Sequence, residues 1–255
     1  MSEEITRVNE VYGTFSERFP ILYNRDGRVA KANKIVAVMN DFSGRRLKDL
    51  QVLDIGGSAG VMTEVFADAF EKVTEIDIDH VAIEEGRKSC EAENVDWVCG
   101  DATKMPFADK SFDCLICNHV YEHIDDQQAL MAEIKRVLKD DGFCYFSAGS
   151  RFVLVEGHYF LPFLSWLPHR VSDIYMRVTG RQGRYDVKLL SHRNLKKLLQ
   201  GFEIHDYTLL ILTEPERFAA HDLQAQNSLA FRIPRWIYKR FYPILPIWIW
   251  VLSKK

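Results

Sequence analysis

The stretch QVLDIGGSAGVMTEVFAD, residues 51–68, places an aspartate and three glycines directly after a short apolar run. Residues 51–56 are predicted to form a buried strand, and residues 58–70 a helix. Gly56, Gly57 and Gly60 allow the backbone to turn sharply and to approach a ligand closely. A strand, a glycine-rich turn and a helix in this order predict a nucleotide-binding unit.

The spacing of the glycines separates this turn from the dinucleotide-binding pattern. The run Asp54-Ile55-Gly56-Gly57-Ser58-Ala59-Gly60 does not fit G-x-G-x-x-G. It lies nearer to D-x-G-x-G-x-G, with Ser58 in place of the middle glycine. Asp54 would repel a pyrophosphate, whereas it suits a ligand that carries a cation or an amine. Ser58 is small enough for close backbone approach, at some conformational cost.

Strand and helix periods alternate through the following residues. After the first strand, strands are predicted at 72–79, 95–102, 111–120, 143–149, 202–212 and 247–255. Helices are predicted at 29–42, 58–70, 80–93, 126–142 and 191–201, with a C-cap at Gly142 and an N-cap at Ser191. The βαβ rhythm predicts an α/β fold with a doubly wound parallel sheet.

We expect one domain over residues 1–255. It comprises a helical N-terminal cap (1–50), a cofactor-binding core (51–150), an insertion or lid (151–190), and a C-terminal helix with the last strands (191–255). The insertion follows the fifth strand and is rich in aromatic residues, namely Phe152, Tyr159, Phe160, Phe163, Trp166 and Tyr175. It is interpreted as a satellite core, an apolar acceptor pocket or a membrane-contacting lid.

Composition excludes some functional classes. The 255 residues carry a net charge of −3, which argues against a nucleic-acid polycation. The five cysteines read as reduced apolar residues, and Cys114 and Cys117 would face opposite sides of a strand rather than one metal. The acidic N-terminus does not resemble a signal peptide, and the apolar run 242–252 is too short to span a bilayer. We therefore expect a cytoplasmic protein.

The C-terminal segment combines basic and aromatic residues. No acidic residue follows Asp222, whereas six lysines and arginines alternate with Trp, Tyr and Phe. This pattern predicts peripheral contact with an anionic membrane through residues 231–250, at its inner face. Two alternatives are nucleic acid, for which recognised motifs are missing, and a core role in which Trp248 and Trp250 fill one face of the last strand.

Four segments in order resemble the class I S-adenosylmethionine-dependent methyltransferases: VLDIGGSAG, VTEIDID, VCGDATKMPF and SFDCLICNHVYEHI. The resemblance covers residues 45–150 strongly and is closest to the subgroup of ubiquinone and menaquinone C-methyltransferases and small-molecule or sugar O-methyltransferases. It implies a Rossmann-like sheet of seven strands, mostly parallel with an antiparallel last strand, and S-adenosyl-L-methionine as cofactor.

The same resemblance implies a cofactor site. The glycine turn would pass under the methionine and ribose, and Asp77 would accept two hydrogen bonds from the ribose diol. Asp101 and Ala102 would contact the adenine, and Asn118 would lie near the methyl group. The implied cofactor-binding residues are Asp54, Gly56, Gly57, Ser58, Gly60, Asp77, Ile78, Asp101, Ala102 and Asn118. Taken singly, Asp77 also fits a helix N-cap, and Asp101 a turn residue.

Methyl transfer from a sulfonium mainly requires alignment, and an oxygen or nitrogen acceptor also needs a base. His119 is the first candidate because it follows the fourth strand, where ligands bind in open α/β sheets. Glu122, His123, Asp125 and His158 are further candidates. Alternatively, Glu122 and His123 orient the next helix or supply two ligands to a divalent ion, although we assign no metal.

We expect transfer of a methyl group to O or C of a small or lipid-linked metabolite, such as a prenylated ring or a lipid-linked sugar. Two alternatives are a non-catalytic partner protein that retains the cofactor fold, and a nicotinamide-dependent oxidoreductase. The intact Asp54, Asp77 and Asp101 argue against a fully decayed cofactor site in the first, and the spacing of the glycine turn argues against the second.

Overall fold

The computed structural model describes residues 25–58, 60–181, 183–220 and 235–255. The first part of the predicted N-terminal cap, residues 1–24, lies outside the described residues. So do residues 221–234, which include the start of the segment predicted to contact a membrane.

Strands and helices alternate along the described chain. The strands are β1 (Gln51–Ile55), β2 (Lys72–Asp77), β3 (Val95–Cys99), β4 (Phe112–Asn118), β5 (Leu138–Gly149), β6 (Phe202–Asp206) and β7 (Ile247–Lys254). The helices are α1 (Arg25–Ser43), α2 (Thr63–Ala69), α3 (His80–Ser89), α4 (Gln127–Val137), α5 (His169–Val178), α6 (His192–Leu198), α7 (Thr208–Thr213) and α8 (Arg235–Phe241). Short 3₁₀ turns lie at Leu47–Asp49, Tyr121–His123, Leu164–Trp166 and Tyr242–Ile244.

The strands form one seven-stranded sheet in the order β3-β2-β1-β4-β5-β7-β6. Neighbouring strands from β3 to β5 pair in parallel, whereas β7 is antiparallel to both β5 and β6. The predicted Rossmann-like sheet with an antiparallel last strand is therefore confirmed. Because β1 to β4 are parallel, their carboxyl ends meet at one edge of the sheet.

Both faces of the sheet are buried. One face packs against α4 and α6 around residues such as Leu115, Cys117 and Phe146. The other packs against α1, α2 and α7 around residues such as Ile35 and Cys114. Cys114 and Cys117 therefore lie on opposite sides, because alternate residues of a strand face opposite ways.

Several predicted boundaries were wrong. The helix after the glycine turn begins at Thr63 rather than at residue 58, because Ser58 and Gly60 have left-handed backbones. The helix α4 ends at Val137, and Gly142 is not a C-cap but lies within β5, where a β-carbon would come 2.7 Å from the carbonyl of Asp113.

The predicted strand 202–212 is also wrong in its second half. The strand β6 ends at Asp206, whose side chain accepts a hydrogen bond from the Thr208 N–H. Residues 208–213 then form α7, which packs on the α1 side of the sheet through Ile211. A short aspartate-capped turn separates the strand from the helix.

The aromatic insertion has a small core of its own. Its buried residues are Leu161, Leu164, Met176, Tyr185 and Val187, with Tyr159, Tyr175 and Leu189 packed against them. Phe160, Phe163 and Trp166 instead remain exposed. The satellite-core interpretation therefore fits some of the predicted aromatic residues and not others.

The C-terminal tryptophans are part of the main core. Trp248 and Trp250 are buried in β7, stacked with their ring centroids 6.1 Å apart. In the described part of the predicted membrane-contacting segment, exposed large apolar side chains lie on α8 and the turn after it, at Trp236, Phe241 and Ile244. Among the described helices, none combines the length and apolar character needed to cross a bilayer.

Candidate functional site

The predicted site residues lie along the carboxyl edge of the sheet. The glycine turn follows β1, and Asp77 ends β2. Asp101 follows β3, and Asn118 ends β4. The order β3-β2-β1-β4 makes these four strand ends successive neighbours, so the chain brings residues that are far apart in sequence onto one edge.

The glycine turn is packed tightly against the protein itself. A β-carbon on Gly57 would fall far inside van der Waals contact with the carboxyl of Glu75, so only glycine fits there. Gly60 has a φ of +76° and lies against the indole of Trp97. Ser58 adopts the left-handed region at φ 57°, which is the conformational cost expected for a non-glycine residue.

Asp54 and Glu75 form a buried acidic pair beneath this turn. They are neighbours in register between β1 and β2, and both are almost fully buried. Glu75 accepts a 2.6 Å hydrogen bond from the Thr63 hydroxyl. Asp54 Oδ2 and Glu75 Oε2 have no hydrogen-bond partner among the described residues. Both oxygens are buried beneath the turn, and the two carboxyl groups lie close enough to share a proton.

Burial is the largest cause of the pKa shifts of Asp54 and Glu75. It raises the pKa of Asp54 to about 7, although the charge of Arg28 from α1 opposes the shift. Burial and the nearby Asp54 raise the pKa of Glu75 well above its usual range. A cationic group placed near Asp54 would favour the ionised form of its carboxyl.

Asp77 joins the glycine turn to the end of β2. Its Oδ2 accepts a 3.0 Å hydrogen bond from the Ser58 N–H, and its Oδ1 a 2.9 Å bond from the Asp79 N–H. Burial raises its pKa, and the two backbone bonds oppose the shift. The helix N-cap at this point is Asp79, which accepts from Val81 and Ala82. Because each carboxylate oxygen accepts two bonds, Asp77 keeps capacity for a ligand diol beside Ile78.

Asp101 forms a local turn after β3. Its Oδ1 accepts from both the backbone N–H and the hydroxyl of Thr103, at 2.7 and 2.8 Å. The neighbouring Ala102 packs against the main core. The side chain of Asp101 is therefore held by its own loop, as the turn interpretation expects, and it retains a second oxygen for a ligand.

The chain leaves β4 through a strained turn at Asn118 and His119. Asn118 Oδ1 accepts a 2.7 Å hydrogen bond from the Ser147 hydroxyl, and the His119 N–H donates to the Ser147 carbonyl at 3.2 Å. His119 has a left-handed φ of 58°. Strained backbone of this kind persists where the surrounding contacts hold it, and it is common at functional sites.

His119 is paired with a buried carboxylate. Its Nδ1 lies 3.0 Å from Oε1 of Glu122, whose side chain is only 1% exposed, while the imidazole is 30% exposed. Burial alone would raise the pKa of Glu122, but the His119 bond and the charges of His119 and His123 more than offset it and lower the pKa. An ionised Glu122 keeps the proton of His119 on Nδ1 and leaves Nε2 as an acceptor.

A second histidine–carboxylate pair comes from the insertion. His158 Nδ1 lies 2.7 Å from Oε1 of the buried Glu156. The His158 ring packs edge-on against His123, with centroids 4.8 Å apart. Burial lowers the pKa of His123 to about 4, so this imidazole is neutral at physiological pH. At His158 burial also lowers the pKa, but the Glu156 bond outweighs it and the net shift is upward.

Hydrogen bonds to the backbone attach the insertion to this site. The Tyr121 hydroxyl donates to the Gly149 carbonyl at 2.8 Å and accepts from the Leu190 N–H at 3.2 Å. The Lys188 N–H donates to the Glu122 carbonyl at 2.7 Å. These bonds place His158 beside the turn after β4. Asp125, in contrast, pairs with the Lys188 ammonium at the surface.

The structure gives little support to a metal at this cluster. Across the described ranges, no group of three or more His, Cys, Asp or Glu side chains is arranged to hold a metal ion. Glu122 instead faces His119, and the ring of His123 packs against His158. A divalent-ion site built on Glu122 and His123 would therefore lack a third protein ligand among the described residues.

Sequence reasoning missed several residues of the site. Glu75 and Glu156 are buried acids next to predicted site residues, and an acid within an otherwise apolar strand was a usable signal for Glu75. Ser147 and Arg28 reach the site from β5 and α1. No spacing in the sequence links either of them to the glycine turn, because their proximity arises only in the folded sheet.

Comparison with known proteins agrees with this geometry. The sequence profile of the family described as "Methyltransferase domain" matches residues 53–146. The ubiquinone/menaquinone biosynthesis C-methyltransferase UbiE of Desulfotalea psychrophila is 30% identical over 128 residues, covering 46% of this chain and 52% of that protein. The demethylmenaquinone methyltransferase of Tropheryma whipplei is 28% identical over 156 residues, covering 56% and 65%.

Solved structures share the fold at low sequence identity. The PH0226 protein from Pyrococcus horikoshii aligns with a TM-score of 0.61 and 17% identity over 96% of this chain and 99% of that one. The YcgJ protein of Bacillus subtilis aligns with a TM-score of 0.54 and 18% identity over 87% and 98%. The matches to UbiE and the demethylmenaquinone methyltransferase span only about half to two-thirds of those relatives' length. The family match identifies a methyltransferase domain at residues 53–146, and the sheet order and the four motifs support the class I S-adenosylmethionine-dependent methyltransferase fold.

Proposed function

We propose that this protein transfers a methyl group from S-adenosyl-L-methionine to an oxygen or carbon of a small or lipid-linked metabolite. The observation that carries the proposal is the contact between the two halves of the site. Val120, next to His119, lies directly over Gly56, with its Cγ2 2.7 Å from the position of a β-carbon there. The cofactor turn after β1 and the basic residue after β4 are therefore adjacent.

The residues at the turn fit the cofactor. The Asp54 carboxyl lies beneath the turn, close to Gly57, and in its ionised form it suits the ammonium of a methionine moiety. Asp77 has free acceptor capacity for the ribose diol, and Asp101 lies one strand further along for the adenine. When bound, S-adenosyl-L-methionine supplies an electrophilic methyl group on a sulfonium. The protein must then position the acceptor in line with that group.

The His119–Glu122 pair supplies the base for an acidic acceptor. Glu122 fixes the imidazole with Nδ1 protonated, so Nε2 is oriented to accept a proton from a hydroxyl or an acidic C–H. Such a pair also stabilises the imidazolium that forms. His158, held by Glu156 on the opposite side of His123, is placed to bind or polarise the acceptor. His123 is neutral and packs between the two pairs.

The acceptor class follows from the relatives and from the insertion. Relatives named as ubiquinone/menaquinone and demethylmenaquinone methyltransferases favour a prenylated ring, and a lipid-linked sugar fits the same apolar insertion. Exposed aromatic residues on the insertion, and Trp236 with Lys239 and Arg240 on α8, favour contact with a membrane. The negative net charge disfavours nucleic acid as an acceptor.

Labelling tests the proposed activity directly. Purified protein is incubated with methyl-labelled S-adenosyl-L-methionine and a lysate of the source cell, and the products are separated into lipid, small soluble, protein and nucleic-acid fractions. The proposal expects label in the lipid or small soluble fraction that is lost in Asp77→Ala. Label confined to protein or nucleic acid would contradict the acceptor class. Cofactor binding without label in any fraction would support a non-catalytic partner instead.

A further inference from the structure

The insertion exposes an unusual amount of apolar surface, which we call the insertion face. It consists of Leu154, Val155, Phe160, Phe163, Trp166, Val171, Ile174 and Val178, each between 42% and 80% exposed. Eight of the twelve exposed large apolar side chains of the described chain thus lie within 25 residues. Exposed apolar surface concentrated in this way marks an interaction site rather than scattered surface residues.

Part of the insertion face is a stripe along α5. Val171, Ile174 and Val178 are spaced three and four residues apart, so they share one side of the helix. The other side is anchored, because Met176 lies in the insertion core and the Ser172 hydroxyl donates to the Leu164 carbonyl at 3.1 Å. The apolar stripe therefore faces outward while the helix is fixed to the protein by its opposite side.

The phenylalanines of the insertion face, Phe160 and Phe163, lie on strained backbone. Phe160 and Phe163 both have left-handed φ values, 54° and 56°, a region that bulky residues rarely adopt. Their rings are nevertheless 63% and 49% exposed, and Phe163 packs edge-on against Trp166 at 5.3 Å. Phe160 and Phe163 are therefore exposed even though their backbone conformation is unfavourable.

The charge around the insertion face is positive. The insertion, residues 151–190, contains six basic and three acidic residues, and the basic ones include Arg170, Arg177, Arg181 and Arg184. All four arginines are exposed, and none is in an ion pair among the salt bridges of the described residues. Asp173 is occupied, because its Oδ1 accepts from the Tyr185 N–H at 2.8 Å. An anionic partner complements this distribution.

We propose that the insertion face docks on an anionic lipid bilayer and takes its methyl acceptor from that bilayer. The substrate half of this inference rests on the proposed methyl transfer, whereas the docking half does not. Apolar side chains, an aromatic cluster and arginines on one unit match a surface that inserts shallowly at the headgroup boundary. The same unit carries His158 and Glu156, so docking would bring the acceptor side of the site to the membrane.

Vesicle sedimentation tests the docking. The full-length protein is mixed with neutral phosphatidylcholine vesicles and with vesicles that also contain phosphatidylglycerol, at low and high salt. We expect binding to the anionic vesicles that weakens as salt rises. Absence of binding to anionic vesicles, or equal binding to both kinds at every salt concentration, would overturn the proposal.

Two sets of variants remove the insertion face without disturbing its core. The variant Val171→Ser/Ile174→Ser/Val178→Ser changes only the outward stripe of α5. The variant Phe160→Asn/Phe163→Asn removes the two exposed rings and replaces them with asparagine, which tolerates the left-handed backbone at both positions. Each set should weaken vesicle binding by about tenfold or more. Trp236→Ser on α8 is the matched control, since it removes a 68%-exposed aromatic residue elsewhere. If Trp236→Ser abolished binding and both insertion variants retained it, the docking surface would be α8 and the proposal would be wrong.

Cofactor binding keeps the two proposals distinguishable. The insertion variants should bind S-adenosylhomocysteine as the wild type does and give intact thermal unfolding, so that loss of vesicle binding is not loss of folding. Vesicle binding without cofactor binding would contradict the proposed function alone. Wild-type dimers that the stripe variant converts to monomers, with no vesicle binding by either, would show that the insertion face is a protein interface and would overturn the docking.

Discussion

The carboxyl group of Glu75 fills the space in which a side chain on Gly57 would have to lie. Glu75 is itself held by the Thr63 hydroxyl and is neighbour in register to Asp54, so it cannot move away freely. The glycine turn and the buried acidic pair are thus one packed unit, and the shape of the cofactor turn depends on a residue of the next strand.

Gly57→Ala should therefore destabilise the protein by about 1–3 kcal/mol, because its methyl group overlaps the Glu75 carboxyl. The double variant Gly57→Ala/Glu75→Ala removes the overlap. Its destabilisation should be smaller than the sum of the two single changes, as measured by urea unfolding. Additive effects in this cycle would mean that Gly57 and Glu75 are not in contact.

The buried Asp54 should make cofactor binding depend on pH. Its pKa lies near 7 in the folded protein, against 3.8 for an ordinary aspartate. The free protein therefore retains a proton there below about pH 7, and the contribution of Asp54 to stability decreases as pH rises from about 4 to about 7. A bound ammonium favours the ionised form, so the affinity for S-adenosylhomocysteine should fall by up to about tenfold for each unit below pH 7.

Calorimetric titration between pH 5 and 8 measures this dependence. Asp54→Asn should bind more weakly at pH 8 and should lose most of the pH dependence, because the amide does not titrate. A wild-type affinity that is flat across this range would contradict the assignment of Asp54 to the ammonium.

Glu122→Gln should reduce the rate of transfer to an oxygen or acidic carbon by about a hundredfold or more. The amide keeps the size of the side chain but carries no charge to stabilise the imidazolium, and its NH2 group can donate to Nδ1, which would move the imidazole proton to Nε2. The affinity for S-adenosylhomocysteine should stay within twofold or so of the wild type. Asp125→Asn is the control, because Asp125 pairs with Lys188 at the surface and should leave the rate unchanged. Equal rates in Glu122→Gln and wild type would remove the pair from the mechanism.

Tyr121→Phe should loosen the attachment of the insertion. The change leaves the Gly149 carbonyl and the Leu190 N–H without their partner, at a cost of about 1–3 kcal/mol. Amide hydrogen exchange at residues 185–190 should become faster, while exchange in β1 and β2 should not. Tyr175→Phe tests whether any lost hydroxyl has this effect, since the Tyr175 hydroxyl donates to no described residue.

The sequence was sufficient for the fold and for the edge that carries the site. Alternating periods and the glycine turn identified the strands β1 to β5, and Asp77 is at the end of β2 as the motif requires. The boundaries at Thr63, Val137 and Asp206 were missed because left-handed turn residues, a strand that begins at the helix end and an aspartate cap override local periodicity.

The interior of the site was less predictable. Glu122 and His158 were both expected near the acceptor. The pairing of Glu122 with His119 depends on the strained turn after β4, and the pairing of His158 with Glu156 depends on a hairpin of the insertion. The exposure of Phe160 and Phe163 also could not be read from composition, because the same aromatic content would build a buried satellite core. Contacts between distant segments, rather than local pattern, decide these points.

Comparative binding of S-adenosylhomocysteine and NAD by titration calorimetry, in the wild type and in Asp77→Asn, tests the central claim most directly. The matched control is Asp79→Ala, which removes a helix cap beside the site but no proposed ligand. We predict that the wild type and Asp79→Ala bind S-adenosylhomocysteine and not NAD, and that Asp77→Asn weakens binding by about tenfold or more. Tighter binding of NAD, or unchanged affinity in Asp77→Asn, would contradict the account.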